Sequence, residues 1–147
     1  MNRSLFYAVL RRSKVLFGSS LGQRQVDGME ALLDAAHGLP VAYVGNILGQ
    51  VYIETGGGMY PVKETVFANH RDKNPSDAKV IARLDRAFAK GQLTWVRVPY
   101  WRDGWFGRGQ IQITHESNYR KLSPVVGVDL ARNRDKALDP EISALGS

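Results

Sequence analysis

The chain contains no cysteine among its 147 residues. This absence excludes disulfide bonds, thiol catalysis and cysteine-ligated zinc or iron–sulfur sites. It leaves the redox compartment open, because a cysteine-free protein tolerates either environment. A chain of this length can bury most of its apolar surface without a covalent or metal cross-link. We therefore expect residues 1–147 to form one domain held together by its hydrophobic core.

Long apolar runs are also missing, since no stretch approaches the ~20 residues of a membrane-spanning helix. The apolar stretch Leu5–Leu10 is at the short limit for a signal peptide, ends at Arg11-Arg12 and is followed by no convincing cleavage site. We expect cytoplasmic synthesis without stable membrane insertion. Export would then depend on a separate membrane-permeabilising partner.

Motifs for phosphate and metal binding are absent as well. The triple glycine Gly56–Gly58 lacks the trailing Gly-Lys-Ser/Thr of a phosphate-binding loop. The histidines His37, His70 and His115 show no metal-ligand spacing, and we interpret His70 as a surface residue before a helix. The sequence therefore predicts no cofactor and no metal.

Positive charge is in excess, with 20 Lys and Arg against 14 Asp and Glu, a net charge of +6 and a pI near 9.8. Such a balance favours an anionic partner. Nucleic acid, an acidic membrane face and the anionic bacterial wall all satisfy it, so the charge alone does not choose among them.

Apolar residues at helical spacing, with capping residues at several ends, predict five helices. They cover about 23–36, about 41–54, Asn74 to Gly91, a segment starting near Thr114 and another starting at Asp139-Pro140-Glu141. The sequence shows no internal repeat. Gly45 and Gly49 in the second helix suggest close packing against a neighbour. Residues 93–98 fit a short strand or an extended loop. The expected fold is mainly α, with one irregular aromatic segment.

Two carboxylates flank the triple glycine, Glu54 before it and Glu64 after it. Glycine reaches positive φ freely and disfavours a helix interior, so we expect the chain to turn here and bring Glu64 back towards Glu54. Partial burial at the helix end would keep Glu54 protonated, whereas solvent and Lys63 would keep Glu64 ionised. Two glutamates in one cleft suit glycoside hydrolysis. From spacing alone, two unrelated surface carboxylates remain an open alternative.

A second cluster, Pro99–Thr114, is rich in aromatic residues, glycine and arginine. Aromatic faces stack on sugar rings, while amide and guanidinium groups bind hydroxyl and acetamido groups. The candidate substrate contacts are Tyr100, Trp105, Arg108, Gln110 and Gln112. The same composition suits single-stranded nucleic acid, and burial of the aromatic side chains in the core is a third interpretation.

Several segments, taken in order, resemble successive signatures of glycoside hydrolase family 19, and more closely its short endolysin-like members from phages and prophages. The matching segments are Glu54-Thr55-Gly56-Gly57, Val62-Lys63-Glu64, Phe106–Thr114, Asn118-Tyr119 and Gly127-Val128-Asp129-Leu130. The resemblance runs from about residue 21 to residue 143. It implies a lysozyme-like domain that cleaves a β-1,4-linked amino-sugar polymer with inversion.

The resemblance also implies roles for individual residues. Glu54 matches the general acid, Glu64 the general base that activates water, Thr114 a hydroxyl residue that helps to hold this water, and Asn118 a substrate-binding amide. Inverting enzymes hold the two carboxyl groups roughly 6.5 to 9.5 Å apart. The expected substrate is peptidoglycan, with chitin as the alternative, and the expected state is a monomer.

The chain departs from the family pattern at two places. Ile53 stands where the family often has histidine, and relatives usually continue with a further helical segment after Asp139–Ser143. We therefore expect a shortened family member. Two alternatives stay open: a non-catalytic glycan-binding relative, and a nucleic-acid binder that uses the basic aromatic segment.

Overall fold

The computed structural model describes residues 1–18, 20–66 and 72–147. In this part of the chain, seven α-helices surround one short sheet. The helices are α1 (Arg3–Arg12), α2 (Lys14–Phe17), α3 (Gln23–Ala35), α4 (Val41–Glu54), α5 (Asp77–Ala89), α6 (Glu116–Val126) and α7 (Pro140–Leu145). Short 3-10 helices cover Tyr100–Asp103 and Arg134–Leu138. The expectation of a mainly α fold is thus confirmed.

The sheet joins β1 (Val62–Lys63) to β2 (Arg108–Gly109). The strands are antiparallel, with Val62 opposite Gly109 and Lys63 opposite Arg108. Sequence analysis predicted neither strand, because two residues are too few to show an alternating pattern. The sheet connects the segment after the triple glycine to the aromatic segment.

The helices predicted over about 23–36 and about 41–54 correspond to α3 and α4. The helices predicted to start near Thr114 and at Asp139-Pro140-Glu141 correspond to α6 and α7. Asp139 caps α7, its carboxylate accepting hydrogen bonds from the backbone N–H groups of Glu141 and Ile142. The sequence did not predict α1 and α2. Residues 93–98 form a loop with turns and bends, so of the two predicted alternatives the loop is correct and the strand is not.

The third predicted helix begins later than expected. Ser76, not Asn74, caps α5, and its hydroxyl accepts a hydrogen bond from the backbone N–H of Lys79. The carbonyl of Pro75 instead accepts from Nζ of Lys63 at 2.9 Å. Pro75 therefore belongs to the loop that packs against β1, and the first helical turn starts at Asp77.

The predicted close packing at Gly45 and Gly49 is also wrong. A Cβ added at either position would meet, among the described residues, no atom within 4 Å apart from the backbone of its own helix. The close approach occurs at Gly28 of α3, where a Cβ would lie 1.8 Å from the backbone oxygen of Met59. A glycine in the middle of α3 thus lets the turn after α4 pack directly on this helix.

The turn after α4 reverses the chain as predicted. Gly56 and Gly57 have φ values of 59° and 84°, which glycine adopts at little cost. Thr55 fixes the turn: its hydroxyl donates to the carbonyl of Val51 at 2.7 Å and accepts from the N–H of Met59 at 2.9 Å. This turn carries the chain from Glu54 into β1.

Buried side chains form three clusters. The first joins α1, α3, α4 and α7 through Tyr7, Met29, Ala31, Leu32, Val51, Met59 and Ala144. The second surrounds α6 and consists of Ile113, Tyr119, Val126, Leu130 and Ala137. The third joins α5 to the aromatic segment through Val80, Leu84, Trp101 and Phe106.

None of the helices in the described ranges is both long enough and apolar enough to span a lipid bilayer.

Candidate active site

A cavity of about 280 Å³ opens between the end of α4 and β1. Both Glu54 and Glu64 line it, together with Thr114 and Gln112 from the aromatic segment. Its remaining lining residues are Thr55, Val62, Lys63, Thr65, Asp72, Lys73 and Pro75. The turn at the triple glycine therefore brings the two predicted carboxylates to one site.

Glu64 is the better fixed of the two carboxylates. Its Oε1 accepts a hydrogen bond from the Tyr100 hydroxyl at 2.7 Å, and its Oε2 accepts from the backbone N–H of Gly107 at 2.8 Å. The Glu64 backbone N–H also donates to the Gly107 carbonyl. An ionised carboxylate has about four acceptor positions, so lone pairs remain for a water or a sugar hydroxyl.

Tyr100 is half-buried, and its role differs from the predicted sugar contact. Burial, and next the hydrogen bond to Glu64, raise the pKa of the Tyr100 hydroxyl above its usual value. The hydroxyl therefore keeps its proton at neutral pH and remains a donor. In this structure Tyr100 orients Glu64 rather than presenting its ring to the cavity described above.

Glu54 does not have the expected environment. Its side chain is exposed at the end of α4, and the preceding Ile53 is 77% exposed. The prediction that partial burial distinguishes Glu54 is wrong, since Glu64 is the more buried carboxylate. The reason is that the sheet and the Tyr100 segment cover Glu64, whereas α4 ends at the surface.

Lys63 also points away from its predicted partner Glu64. Its Nζ donates to Asp77 at 2.8 Å and to the Pro75 carbonyl. Asp77 is shared with Arg108, whose Nη2 lies 3.4 Å from its other oxygen. Burial raises the pKa of Asp77, but the hydrogen bond and charge of Lys63, with the charge of Arg108, outweigh it and hold this pKa below its usual value.

Arg108 and Gln110 are interior residues, which corrects their prediction as sugar contacts. Arg108 is 1% exposed and donates to Asp135 at 2.9 Å and to the Tyr119 hydroxyl at 3.0 Å. Gln110 is fully buried, and its Nε2 donates to the carbonyls of Gly28 and Met59. Both side chains connect segments that are distant along the chain, and neither lines the cavity. Polar residue type alone did not reveal this structural use.

Gln112, Thr114 and Asn118 lie closer to the predicted site. Gln112 lines the cavity, and its Nε2 donates to the carbonyls of Val62 and Gly109, so it connects the two strands. Thr114 also lines the cavity. Asn118 is exposed at the start of α6, where its Nδ2 donates to the Thr114 carbonyl at 2.9 Å, and it does not line the cavity.

Trp105 packs outside this cavity. Its ring lies 5.4 Å from that of Tyr119, and the guanidinium of Arg134 lies 4.4 Å from its centre. Trp105 therefore covers the second buried cluster, and the prediction that it contacts sugar has no support from its position.

Sequence analysis missed an exposed aromatic side chain beside the site. Trp95 is 74% exposed and lines a second cavity of about 520 Å³, which Glu64 and Thr65 also border. Glu64 and Thr65 border both cavities, so the two cavities are adjacent. The sequence signal was a lone tryptophan in the segment 93–98, and the predictions concentrated on the denser aromatic cluster that follows this segment.

Two further charged residues of the first cavity were also missed. Asp72 and Lys73 line it, and the hydrogen bond from Arg83 lowers the pKa of Asp72. In the part of the chain that the structure describes, no three histidine or carboxylate side chains are grouped as metal ligands. His70, predicted to be a surface residue, lies outside the described residues.

Comparison with known proteins gives no match: no protein-family model, no curated protein and no solved structure matches this chain.

Proposed function

We propose that this protein is an endolysin-like glycoside hydrolase with a lysozyme-like fold, cleaving β-1,4 bonds of peptidoglycan by inverting acid and base catalysis. One observation carries the proposal: Glu54 and Glu64, separated by the triple-glycine turn, line the same cavity. A pair of carboxylates in a cleft is the minimal equipment for this reaction. The resemblance to glycoside hydrolase family 19 supports the same two residues.

In the proposed reaction, Glu64 is the general base. Tyr100 and the backbone of Gly107 fix its carboxylate, and Thr114 supplies a hydroxyl at the same cavity for the attacking water. Glu64 takes a proton from this water as the water oxygen bonds to the anomeric carbon. A positioned base of this kind contributes about 10²- to 10⁴-fold to the rate.

Glu54 is the proposed general acid, which gives its proton to the glycosidic oxygen as the bond to the leaving sugar breaks. Glu54 is exposed to water in the free protein, so in this proposal the bound substrate shields it from water. A sugar chain that lies across both cavities would exclude water from Glu54, and exclusion of water favours the neutral, proton-donating form of a carboxyl group. Trp95 offers an aromatic face on which a sugar ring of the same chain can stack.

Peptidoglycan is preferred to chitin because the protein is basic and the bacterial wall is anionic. Both polymers share the β-1,4 linkage and the acetamido group, so chitin is the second candidate substrate. Acting on the wall after cytoplasmic synthesis would require a partner that permeabilises the membrane.

The test is release of reducing ends from purified peptidoglycan and from chitin by the parent protein, Glu54→Gln and Glu64→Gln. We expect release from peptidoglycan by the parent and a loss of at least about 100-fold in each variant. Glu116→Gln is the matched control, because Glu116 is an exposed helix carboxylate on α6 that pairs with Arg120.

Parent activity that persists in Glu54→Gln or Glu64→Gln would remove that residue from the mechanism. A folded parent that releases nothing from either polymer, but binds one of them, would show a non-catalytic glycan-binding protein.

A further inference from the structure

The first 26 residues differ in charge from the remainder of the chain. They contain five of the twenty basic residues and none of the fourteen acidic ones, whereas the remainder carries fifteen basic and fourteen acidic residues. Nearly all of the net charge of +6 therefore originates in the segment that forms α1, α2 and the start of α3.

Apolar side chains are exposed on the same segment. Leu5, Val9 and Val15 are each more than half exposed, and Leu16 is 48% exposed. Leu5 and Val9 are four residues apart in α1, and Arg12 follows three residues later, so these three share one helix face. We call the surface formed by Leu5, Val9, Arg12, Lys14, Val15 and Leu16 the outer face.

The opposite side of the segment is fixed to the body of the protein. Phe6, Leu10 and Phe17 pack against the first buried cluster. Arg3 pairs with Asp34 of α3 at 2.7 Å and with Glu30. The Tyr52 hydroxyl donates to the Leu16 carbonyl at 2.6 Å. Since these contacts orient α1 and α2, the outer face cannot turn inward to bury its apolar side chains.

The basic residues of this region are available for an external partner. Arg11, Arg12 and Lys14 are exposed, and none of them pairs with a carboxylate within the described ranges. Cations beside exposed aliphatic side chains match an anionic lipid surface, where the cations meet head groups and the aliphatic groups enter the acyl boundary. A soluble polyanion would pair with the cations but would leave the aliphatic side chains exposed to water.

We propose that the outer face is a peripheral binding site for anionic lipid membranes. In this binding mode the outer face contacts the surface of the bilayer and no part of the protein crosses it. The binding does not depend on the glycosidase activity proposed above. Each basic residue near an anionic surface contributes about fivefold to partitioning, so Arg12 and Lys14 together contribute about 25-fold.

The experiment is co-sedimentation of the purified chain with vesicles of phosphatidylglycerol and phosphatidylethanolamine, or of phosphatidylcholine alone, at about 0.1 M salt. We expect partitioning into the anionic vesicles to exceed that into the neutral ones by at least about 25-fold. Leu5→Ser combined with Val9→Ser should reduce it about tenfold, because two exposed aliphatic groups no longer enter the lipid. Arg12→Gln combined with Lys14→Gln should reduce it about 25-fold.

The matched control is Lys121→Gln combined with Val125→Ser, which removes one exposed cation and one exposed valine from α6. We expect this variant to bind as the parent does. Circular dichroism should show equal melting temperatures for all variants, since each altered side chain is exposed. Absence of parent binding to anionic vesicles would overturn the proposal. Unchanged binding by the Leu5 and Val9 variant, or an equal loss in the control, would also overturn it.

Discussion

The sharpest test of the fold is Gly28→Ala in α3. A Cβ at this position would lie 1.8 Å from the Met59 carbonyl oxygen, whereas non-bonded heavy atoms meet at about 3.5 Å. The obstacle is backbone, so the turn after α4 would have to move by more than 1 Å. The same carbonyl accepts a hydrogen bond from Gln110 at 2.8 Å, which this movement would weaken.

The expected cost combines three contributions. Overpacking costs about 1–3 kcal/mol, and weakening a buried hydrogen bond costs about 0.5–1.5 kcal/mol. Alanine offsets about 1 kcal/mol of this because it favours a helix interior more than glycine does. We expect a net loss of about 2 kcal/mol in the free energy of unfolding. For a chain of this size that corresponds to a fall of about 4–8 °C in melting temperature.

Gly45→Ala in α4 is the matched control, since a Cβ there meets no atom of the described residues within 4 Å outside the backbone of its own helix. The only remaining effect is that alanine favours a helix interior more than glycine does, so the melting temperature should rise by about 1–4 °C. Thermal unfolding followed by circular dichroism measures both variants. A rise for Gly28→Ala similar to that for Gly45→Ala would refute the packing of the turn against α3.

Three further predictions concern the site and its support. Tyr100→Phe removes the hydroxyl that orients Glu64, and we expect kcat on peptidoglycan to fall about 10- to 100-fold. Loss of this hydrogen bond should lower the melting temperature by only about 1–6 °C, so the variant stays folded in the assay, and an unchanged kcat would exclude the positioning role. Trp95→Ala should raise KM about 5- to 30-fold, whereas Val98→Ala, which removes an equally exposed apolar side chain, should leave KM unchanged. Equal effects of the two variants would show that Trp95 does not stack on the sugar chain. Acid titration should show that Asp77 stabilises the fold above about pH 4, because its folded pKa lies below the unfolded value, and that this contribution is lost as pH falls through the lowered pKa. Because the Asp77 side chain is 51% exposed and solvent screens its ion pairs, Asp77→Asn should lower the free energy of unfolding near neutral pH by only about 0.5–1 kcal/mol. The variant should also show a weaker pH dependence of stability, and an unchanged pH dependence would contradict the ion pairs.

The sequence predicted those parts of the fold that local patterns determine. Apolar spacing located α3 and α4, Asp139-Pro140 located the start of α7, and the triple glycine predicted the reversal after Glu54. These features depend on nearby residues along the chain. The strands β1 and β2 depend on pairing across more than 40 residues, and two residues each leave no local pattern.

The site was predicted in part for the same reason. Spacing and resemblance selected Glu54 and Glu64, but burial, which depends on tertiary packing, was assigned to the wrong glutamate. Gln110 was interpreted as a sugar contact because its amide suits hydroxyl groups. The same amide suits two buried backbone carbonyls equally well, and only the packing of α3 against the turn distinguishes the two uses.

The central claim is that Glu54 and Glu64 act together as an inverting acid and base. Nuclear magnetic resonance of the first product released from soluble, uncross-linked peptidoglycan strands tests it most directly. The account predicts that the parent releases the α anomer first from the β-linked substrate and that neither Glu54→Gln nor Glu64→Gln releases product at a comparable rate. Initial release of the β anomer, or undiminished release by either variant, would contradict it.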